Sequence, residues 1–386
     1  PLYKLPRSMR GISMRVNPFL VERYMSAYEH LAEFNIAETC VAPFKLSELL
    51  RLIEREDLVE ELKGLTLDYG YSEGLPELRE GIARLYRKIE PDNVLVTRGA
   101  IEANFQVFYT LLEPGDKVVS IFPAYQQLYS APESFGARVE LLRLREEDSW
   151  LPDLSELERI AEGGKLIVIN NPHNPTGSVI DEATIRRIIE IAESSDSYLL
   201  FDESYHGLFL DPSYSAPSAA DLSERVIVTR SFSKPLSLTG LRLGWIATRD
   251  YRVIEELKLR RDYMAISNSV LVERIAAAAM ERVERIYERS LRILRTNLPV
   301  LRELIEGRDY LDWVPPRAGS VAFPRYDLSV GSEELAVRLL REKGVFLVPG
   351  SCFGIEKHLR IGFGARPEVF EEGVRRLGEF LDSLAS

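Results

Sequence analysis

Short, uninterrupted apolar runs alternate with amphipathic helical stretches over most of the chain, and this alternation restricts the fold more than any other feature. Runs without polar alternation are typical of strands covered on both faces. Strands separated by helices require right-handed parallel crossovers, so the sequence predicts an α/β fold, a three-layer sandwich around a mostly parallel central sheet. The predicted strands are 93–97, 117–121, 139–144, 166–169, 198–201 and 226–229, and the predicted helices include 99–112, 154–161 and 181–192.

The C-terminal third has a different pattern. Residues 252 to about 307 are almost wholly helical in pattern, and short strand candidates follow at 320–324 and 345–348. This pattern predicts a smaller α+β domain, against which the helical stretch 21–33 is also expected to pack. The predicted division is a large domain, 45–282, and a small domain made of 1–44 and 283–386.

Composition argues against several classes of protein. The chain has 386 residues, with 49 Lys and Arg against 60 Asp and Glu, and its net charge of −11 gives no sign of a surface for nucleic acid. No apolar run approaches the roughly 18 residues of a membrane helix, and no signal peptide is predicted. Two distant cysteines are typical of a reducing compartment, here the cytoplasm. The four histidines lack the spacing of metal ligands, so no metal site is predicted.

Polar segments follow three of the predicted strands, and a glycine-containing segment comes next. They are Asn171–Gly177, Asp202–Tyr205, Ser231–Lys234 and Gly240–Gly244. Each segment alone is typical of an ordinary loop or helix cap. However, ligands of such sheets bind at the carboxyl ends of the strands. The order and spacing of the four segments therefore indicate one functional site.

The same segments resemble the motifs of pyridoxal-phosphate (PLP) enzymes of fold type I, specifically the class I and II aminotransferases. The resemblance runs from about Asn35 to Gly364 and includes Tyr69–Arg79 and Arg360–Phe363. It implies the PLP-transferase fold and PLP as cofactor. It also implies transamination, in which an α-amino acid gives its amino group to PLP and a 2-oxo acid takes it away.

The resemblance assigns the catalytic roles. Lys234 resembles the lysine that forms the Schiff base, since a primary amine condenses reversibly with an aldehyde and can then move a proton at the substrate Cα. A phosphate-binding lysine is the alternative role for this residue. Asp202 matches the carboxylate that keeps the pyridine nitrogen protonated. Asn174 and Tyr205 match the two donors to the phenolate oxygen of the cofactor.

The resemblance also implies the remaining cofactor contacts. Tyr125 matches the aromatic residue that stacks on the PLP ring. Tyr69 matches a tyrosine that reaches the phosphate of the neighbouring subunit, which implies a homodimer with shared active sites. The implied phosphate ligands are Arg242, Ser231 and the helix start at Gly99, Ala100 and Ile101.

Arg360 matches the arginine that binds the α-carboxylate of the substrate through two parallel hydrogen bonds. Asn174 is expected to contribute to the same substrate site. Ala37 falls where the family has a small residue against the substrate, and Glu38 follows it.

The C-terminal half also resembles the branch that contains capreomycidine synthase, whose relatives act on arginine or hydroxyarginine. The segments concerned are Arg261–Tyr263, Leu271–Ala276, Ala322–Arg325 and Gly344–Gly350. This resemblance implies an alternative function on L-arginine, either oxygen-dependent oxidation or hydroxylation or a capreomycidine-type cyclisation. Tyr205 favours the aminotransferase, because the cyclase-like pattern has Phe at this position.

A guanidinium substrate requires carboxylates near the N-terminal segment. Four are available there, namely Glu22, Glu29, Glu33 and Glu38. We expect the first three to lie on a solvated helix face, whereas the role of Glu38 stays open. A third class, a non-catalytic regulator of this fold, is disfavoured because all the catalytic positions are filled.

Overall fold

The computed structural model describes residues 16–385 and shows a mixed α/β protein built around one large sheet. The helices are α1 (Leu20–Tyr28), α2 (Leu46–Leu52), α3 (Leu58–Lys63), α4 (Pro76–Ala83), α5 (Gly99–Leu111), α6 (Gln127–Ser134), α7 (Leu154–Ala161), α8 (Glu182–Ser194), α9 (Tyr251–Arg261), α10 (Val270–Met280), α11 (Val283–Glu306), α12 (Ser332–Lys343) and α13 (Pro367–Ala385). The strands are β1 (Phe34–Asn35), β2 (Val94–Thr97), β3 (Lys117–Phe122), β4 (Arg138–Arg143), β5 (Leu166–Asn170), β6 (Tyr198–Asp202), β7 (Val226–Ser231), β8 (Gly244–Thr248), β9 (Leu311–Asp312), β10 (Val321–Ala322), β11 (Arg325–Tyr326), β12 (Val345–Phe346), β13 (Val348–Pro349) and β14 (Leu359–Gly362).

The large sheet has seven strands in the order β2-β8-β7-β6-β5-β3-β4, and the predicted mostly parallel sheet is confirmed. All six predicted strands are present, with ends within two residues of the prediction. Every residue of β5, β7 and β8 is buried, as expected of strands covered on both faces. In the register of β5 and β6, Asn170 lies opposite Asp202, so the two polar strand ends meet.

Strand β8 was not predicted, and it runs antiparallel to both of its neighbours, β2 and β7. Because of this direction, its first residue, Gly244, lies opposite Ser231 at the end of β7 and Thr97 at the end of β2. The segment before β8 therefore reaches the same edge of the sheet as the carboxyl ends of the parallel strands.

Three of the helices that pack on the large sheet begin at acidic caps. The Asp153 side chain accepts hydrogen bonds from the first turn of α7, and Asp181 and Asp250 do the same for α8 and α9. These caps satisfy backbone N–H groups that have no partner within the helix. Helix α5 packs against β7 and β8, which holds its N-terminus at the edge where Gly244 lies.

The C-terminal third contains the predicted helices and three small sheets. Each of the two predicted strands is interrupted: 320–324 becomes β10, followed after Pro324 by β11, and 345–348 becomes β12 and β13. The reason is a change of partner, since β10 pairs with β14 but β11 with β9, and β12 pairs with β1 but β13 with β14.

The N-terminal segment connects the two parts of the molecule. On helix α1, the Tyr24 ring stacks on Phe346 of β12, with ring centroids 5.4 Å apart, so the expected packing against the C-terminal third is present. The Gln126 side chain, near the start of α6, binds the Leu20 N–H and the Pro18 carbonyl, each at 2.8 Å. Residues 1–15 and 386 of the predicted small domain lie outside the described residues. Among residues 16–385, no helix is long and apolar enough to span a membrane.

Candidate active site

A cavity of about 440 Å³ opens at the carboxyl edge of the large sheet. It brings together residues from β5, β6, β7, the start of α5, the segment before β8, strand β14 and the N-terminal segment. The predicted site residues that line it are Glu38, Gly99, Ala100, Ile101, Tyr125, Asn174, Asp202, Tyr205, Ser231, Lys234, Arg242 and Arg360. Two predicted residues do not line it, namely Ala37, which is fully buried, and Tyr69, which is 81% exposed.

Asp202 ends β6, and hydrogen bonds fix both of its carboxylate oxygens. The Ser204 N–H donates to one oxygen and Asn104 Nδ2 donates to the other, each at 3.0 Å. The Thr229 hydroxyl in turn donates to Asn104 Oδ1 at 2.6 Å. The role of Asn104 was not predicted from the sequence. A polar residue on the mainly apolar helix α5 does indicate a special role, because a buried amide requires hydrogen-bond partners.

Asn174 and Tyr205 present buried polar atoms in the same cavity. The Asn174 N–H donates to Asn170 Oδ1 at 2.7 Å, which fixes the loop after β5. Asn174 Oδ1 and the Tyr205 hydroxyl are buried, and neither makes a hydrogen bond of standard geometry within the described residues, although Thr39 lies near enough to the Tyr205 hydroxyl to lower its pKa. Burial raises the pKa of Tyr205, while the Lys234 and Arg360 cations act in the opposite direction. Buried polar atoms without partners at a cavity are expected where a polar ligand binds.

Lys234 follows β7 and extends its side chain toward the N-terminal segment. Its amine donates a hydrogen bond to the Thr39 hydroxyl and lies 3.5 Å from Cys40 Sγ. Burial opposes the positive charge on the amine, but Cys40, Tyr205 and Glu38 together hold the pKa of Lys234 above its ordinary value. The amine is therefore charged in this structure at neutral pH.

An anion-binding cradle lies where α5 begins. Gly99 has a positive φ of 81°, and a Cβ at this position would come within 3.2 Å of Arg242 Nη2. A Cβ on Gly244 would come within 2.6 Å of the Ala100 nitrogen. Two glycines thus let the helix start approach Arg242 and β8 closely. The free N–H groups of the first turn and the Arg242 guanidinium both favour an anion such as phosphate.

Arg360 lies on β14 and is 3% exposed. Its Nη2 donates to the Ala37 carbonyl at 3.1 Å, its guanidinium lies 5.4 Å from the Phe353 ring centroid, and its Nε has no described partner. Burial lowers the pKa of Arg360, although the nearby Tyr205 and Glu38 oppose this shift. A buried guanidinium with an unused donor favours a carboxylate ligand.

Tyr125 lines the cavity and is fixed by the N-terminal segment. Its hydroxyl donates to Glu22 Oε1 at 2.8 Å, and its ring lies 4.7 Å from the Phe19 ring. Glu22 is exposed on α1, as expected of a solvated helix face, whereas Glu29 is half-buried in the turn that follows α1. Both also line the cavity, together with Glu38, which was not expected. Glu33 does lie outside it, where it pairs with Arg376 at 2.9 Å.

Of the three cavity carboxylates, Glu22, Glu29 and Glu38, the last acts on the Lys234 and Arg360 cations and Glu22 acts on Arg360, but at longer range than a salt bridge. Within residues 16–385, no Lys or Arg side chain forms an ion pair with any of them. Burial and the adjacent Glu38 raise the pKa of Glu29 to about 7. Like charges this close favour binding of a cation or of a proton. The sequence does indicate that Glu22 and Glu29 lie close together, because a spacing of seven residues places both on one side of the N-terminal helical segment.

A family model described as aminotransferase class I and II matches residues 44–377. The chain belongs to this family. Capreomycidine synthase from Streptomyces vinaceus is 34% identical to this aminotransferase-family chain, covering 95% of this chain and 93% of the relative. An aspartate aminotransferase from Thermotoga maritima is 31% identical, covering 85% and 87% of the two chains. The structure of a PLP-dependent aminotransferase from Streptococcus suis has a TM-score of 0.93 and 36% identity, covering 96% and 99%.

Membership of this family makes the protein an enzyme of the transferase class with PLP as its cofactor. The cavity of this aminotransferase-family enzyme fits that group. The Tyr205 hydroxyl, a buried donor, and the Asn174 side-chain amide line the cavity together with a fixed carboxylate, and an anion cradle and a lysine amine lie at the same edge of the sheet. A pyridine ring with a phenolate oxygen, an aldehyde and a phosphate matches this set of side chains.

Proposed function

We propose that this cavity is the active site of a PLP-dependent aminotransferase that moves the amino group of an α-amino acid to a 2-oxo acid. The observation that carries the proposal is one cavity lined by the Lys234 amine, the Asp202 carboxylate and the Arg360 guanidinium. When bound there, PLP supplies an aldehyde that takes up the amino group and a ring that accepts electrons from the substrate Cα.

The residues that hold the cofactor follow from the surroundings of each side chain. Asp202, whose two oxygens are fixed by hydrogen bonds, holds the proton of the pyridine nitrogen. Asn174 and Tyr205 would bind the phenolate oxygen, and Tyr125 would supply an aromatic contact to the pyridine ring. The phosphate is held by Ser231, Arg242 and the α5 start at Gly99, Ala100 and Ile101.

Two side chains act on the substrate. Arg360 and Asn174 bind the α-carboxylate, and this orients the Cα–H bond toward the lysine. The Lys234 amine takes the proton from Cα and later returns it. Ala37 supports Arg360 through its carbonyl, and Glu38 lies beside the substrate side chain.

We also propose a homodimer with shared active sites and a cytoplasmic location. Tyr69 is outside the cavity of its own chain and is exposed, as are Tyr71, two residues later, and Ile266, which precedes α10. The segment of Tyr69 lies beside the α10 start, because Gly70 approaches Val270. Such a surface favours a second copy of the chain as its partner. Both cysteines are free, which agrees with a reducing compartment.

The reaction is tested by supplying the purified protein with PLP and single amino acids, with and without a 2-oxo acid, while keto product, oxygen and peroxide are measured. We expect turnover that requires the 2-oxo acid. Lys234→Ala is expected to lose the visible absorption of lysine-bound PLP and to lower the rate by about 100-fold or more. Unchanged absorption in this variant would contradict the role of Lys234.

A second candidate function is favoured by the three carboxylates in the cavity. Glu22, Glu29 and Glu38 form no salt bridge with a Lys or Arg of residues 16–385, and a guanidinium in the substrate would supply one. We therefore keep an enzyme acting on L-arginine, either an oxygen-dependent oxidase or hydroxylase or a capreomycidine-type cyclase, as the alternative. Oxygen consumption with arginine alone, or a cyclic product without a 2-oxo acid, would favour this alternative over transamination.

A further inference from the structure

The segment between β1 and α2 lies directly over Lys234. This segment packs closely against β14 and against the residues that follow β14. A Cβ on Gly364 would come within 2.7 Å of the Cys40 carbonyl oxygen, so only glycine fits at this position. The Ala42 N–H also donates to the Gly364 carbonyl at 2.7 Å. This packing fixes the backbone that carries Thr39 and Cys40.

Thr39 is 8% exposed, and two hydrogen bonds fix it. Its carbonyl accepts from the Ser320 hydroxyl at 2.6 Å, and its own hydroxyl accepts from the Lys234 amine. We propose that Thr39 is a positioning residue, which holds the Lys234 amine whenever the substrate has displaced it from the cofactor. This inference rests on the proposed function of Lys234 and adds a residue to which no role was assigned from the sequence.

A hydroxyl suits this task because it both accepts and donates hydrogen bonds. It accepts from Lys234 while the amine carries a proton, and it can donate to the lone pair after the amine has given that proton away. Thr39 itself neither gains nor loses a proton, so the transfer at the substrate Cα stays balanced between carbon and the amine. Cys40 Sγ, 3.5 Å from the same nitrogen, is a much weaker partner.

The experiment compares Thr39→Val, Thr39→Ser and Thr248→Val in the full-length enzyme. Valine keeps the shape of threonine but removes the hydroxyl, and serine keeps the hydroxyl. Thr248 is the matched control, since it is a fully buried residue of β8 whose hydroxyl donates to the Val226 carbonyl at 2.8 Å and which does not line the cavity.

The first measurement uses the cofactor-free enzyme and does not depend on turnover. The rate of PLP uptake is followed by visible absorption as a function of pH. Because Thr39 stabilises the charged amine, Thr39→Val is expected to move the midpoint of this profile down by about one pH unit. Thr39→Ser and Thr248→Val are expected to keep the wild-type midpoint.

The second measurement is the steady-state reaction with ordinary and Cα-deuterated substrate. Thr39→Val is expected to lower kcat by about 10-fold with an unchanged KM, and to increase the deuterium isotope effect, because proton transfer becomes more limiting. Thr39→Ser is expected to restore most of kcat. A Thr39→Val enzyme that matches Thr248→Val in both measurements would overturn the inference. The proposed function is tested separately, by the Lys234→Ala spectrum and by the requirement for a 2-oxo acid.

Discussion

Glu29 is the cavity side chain whose charge changes near neutral pH. Burial and Glu38 raise its pKa to about 7, so the carboxyl is neutral below this pH and charged above it. A cationic substrate binds better to the charged form. If the substrate side chain is a cation, we expect its KM to rise as the pH falls below 7, by about 10-fold per unit at most.

The measurement is the pH dependence of KM for arginine, with a neutral amino acid as the control substrate. Glu29→Gln should raise the KM for arginine at pH 8 and remove its pH dependence, while the KM for the neutral substrate stays the same. Equal pH profiles for the two substrates would contradict a role for Glu29 in recognising a cation.

Site residues at the ends of strands could be predicted from the sequence, whereas site residues on helices could not. Lys234, Asp202 and Asn174 follow strands, and the ends of parallel strands meet, so their proximity follows from the chain order. Glu22 and Asn104 lie on helices. Periodicity shows which residues share a helix face but does not show what that face covers, so neither could be assigned to the cavity.

Strand β8 shows the same limit at the scale of the secondary-structure element. An apolar run indicates a buried strand, but its direction depends on how short the connection from the previous strand is. The twelve residues between β7 and β8 include Lys234 and Arg242 and contain no α-helix that could form a parallel crossover, so β8 returns antiparallel to β7. The interruptions of the two strands in the C-terminal third could not be predicted either. Each occurs where the chain changes from one small sheet to another, and the sequence pattern does not show which strands pair.

The contact between β8 and α5 yields a prediction of its own. Gly244→Ala would place a methyl group 2.5 Å from the Gly99 carbonyl carbon and 2.6 Å from the Ala100 nitrogen, so the start of α5 must move. We expect PLP affinity to fall by about 10-fold, as for other overpacked sites. Titration of the cofactor-free protein measures this affinity.

Gly240→Ala is the matched control for this substitution, because no atom lies within 4 Å of a Cβ at that position. It belongs to the same segment between β7 and β8, and we expect wild-type affinity for PLP. If Gly244→Ala bound PLP as tightly as Gly240→Ala, the proposed phosphate cradle would be wrong.

At the scale of the whole molecule, the proposed shared sites can be tested by complementation. A Lys234→Ala subunit keeps Tyr69, and a Tyr69→Ala subunit keeps Lys234. After denaturation and refolding of an equal mixture, half of the dimers are mixed and each has one complete site, so activity should recover to about a quarter of wild type. A mixture no more active than its separate components would contradict a shared site. The predicted domain boundaries stay a prediction.

The carboxylates of the cavity and the proposed cofactor contacts come from separate stretches of the chain. Glu22, Glu29 and Glu38 belong to the first forty residues, whereas the proposed PLP contacts within one subunit begin at Gly99. The residues proposed to select the substrate side chain are thus separate in the sequence from those proposed to bind the cofactor. Grafting residues 16–38 between relatives, with Thr39 and Cys40 left in place beside Lys234, should transfer selectivity while the vitamin-dependent reaction is inherited unchanged, and natural divergence can follow the same route.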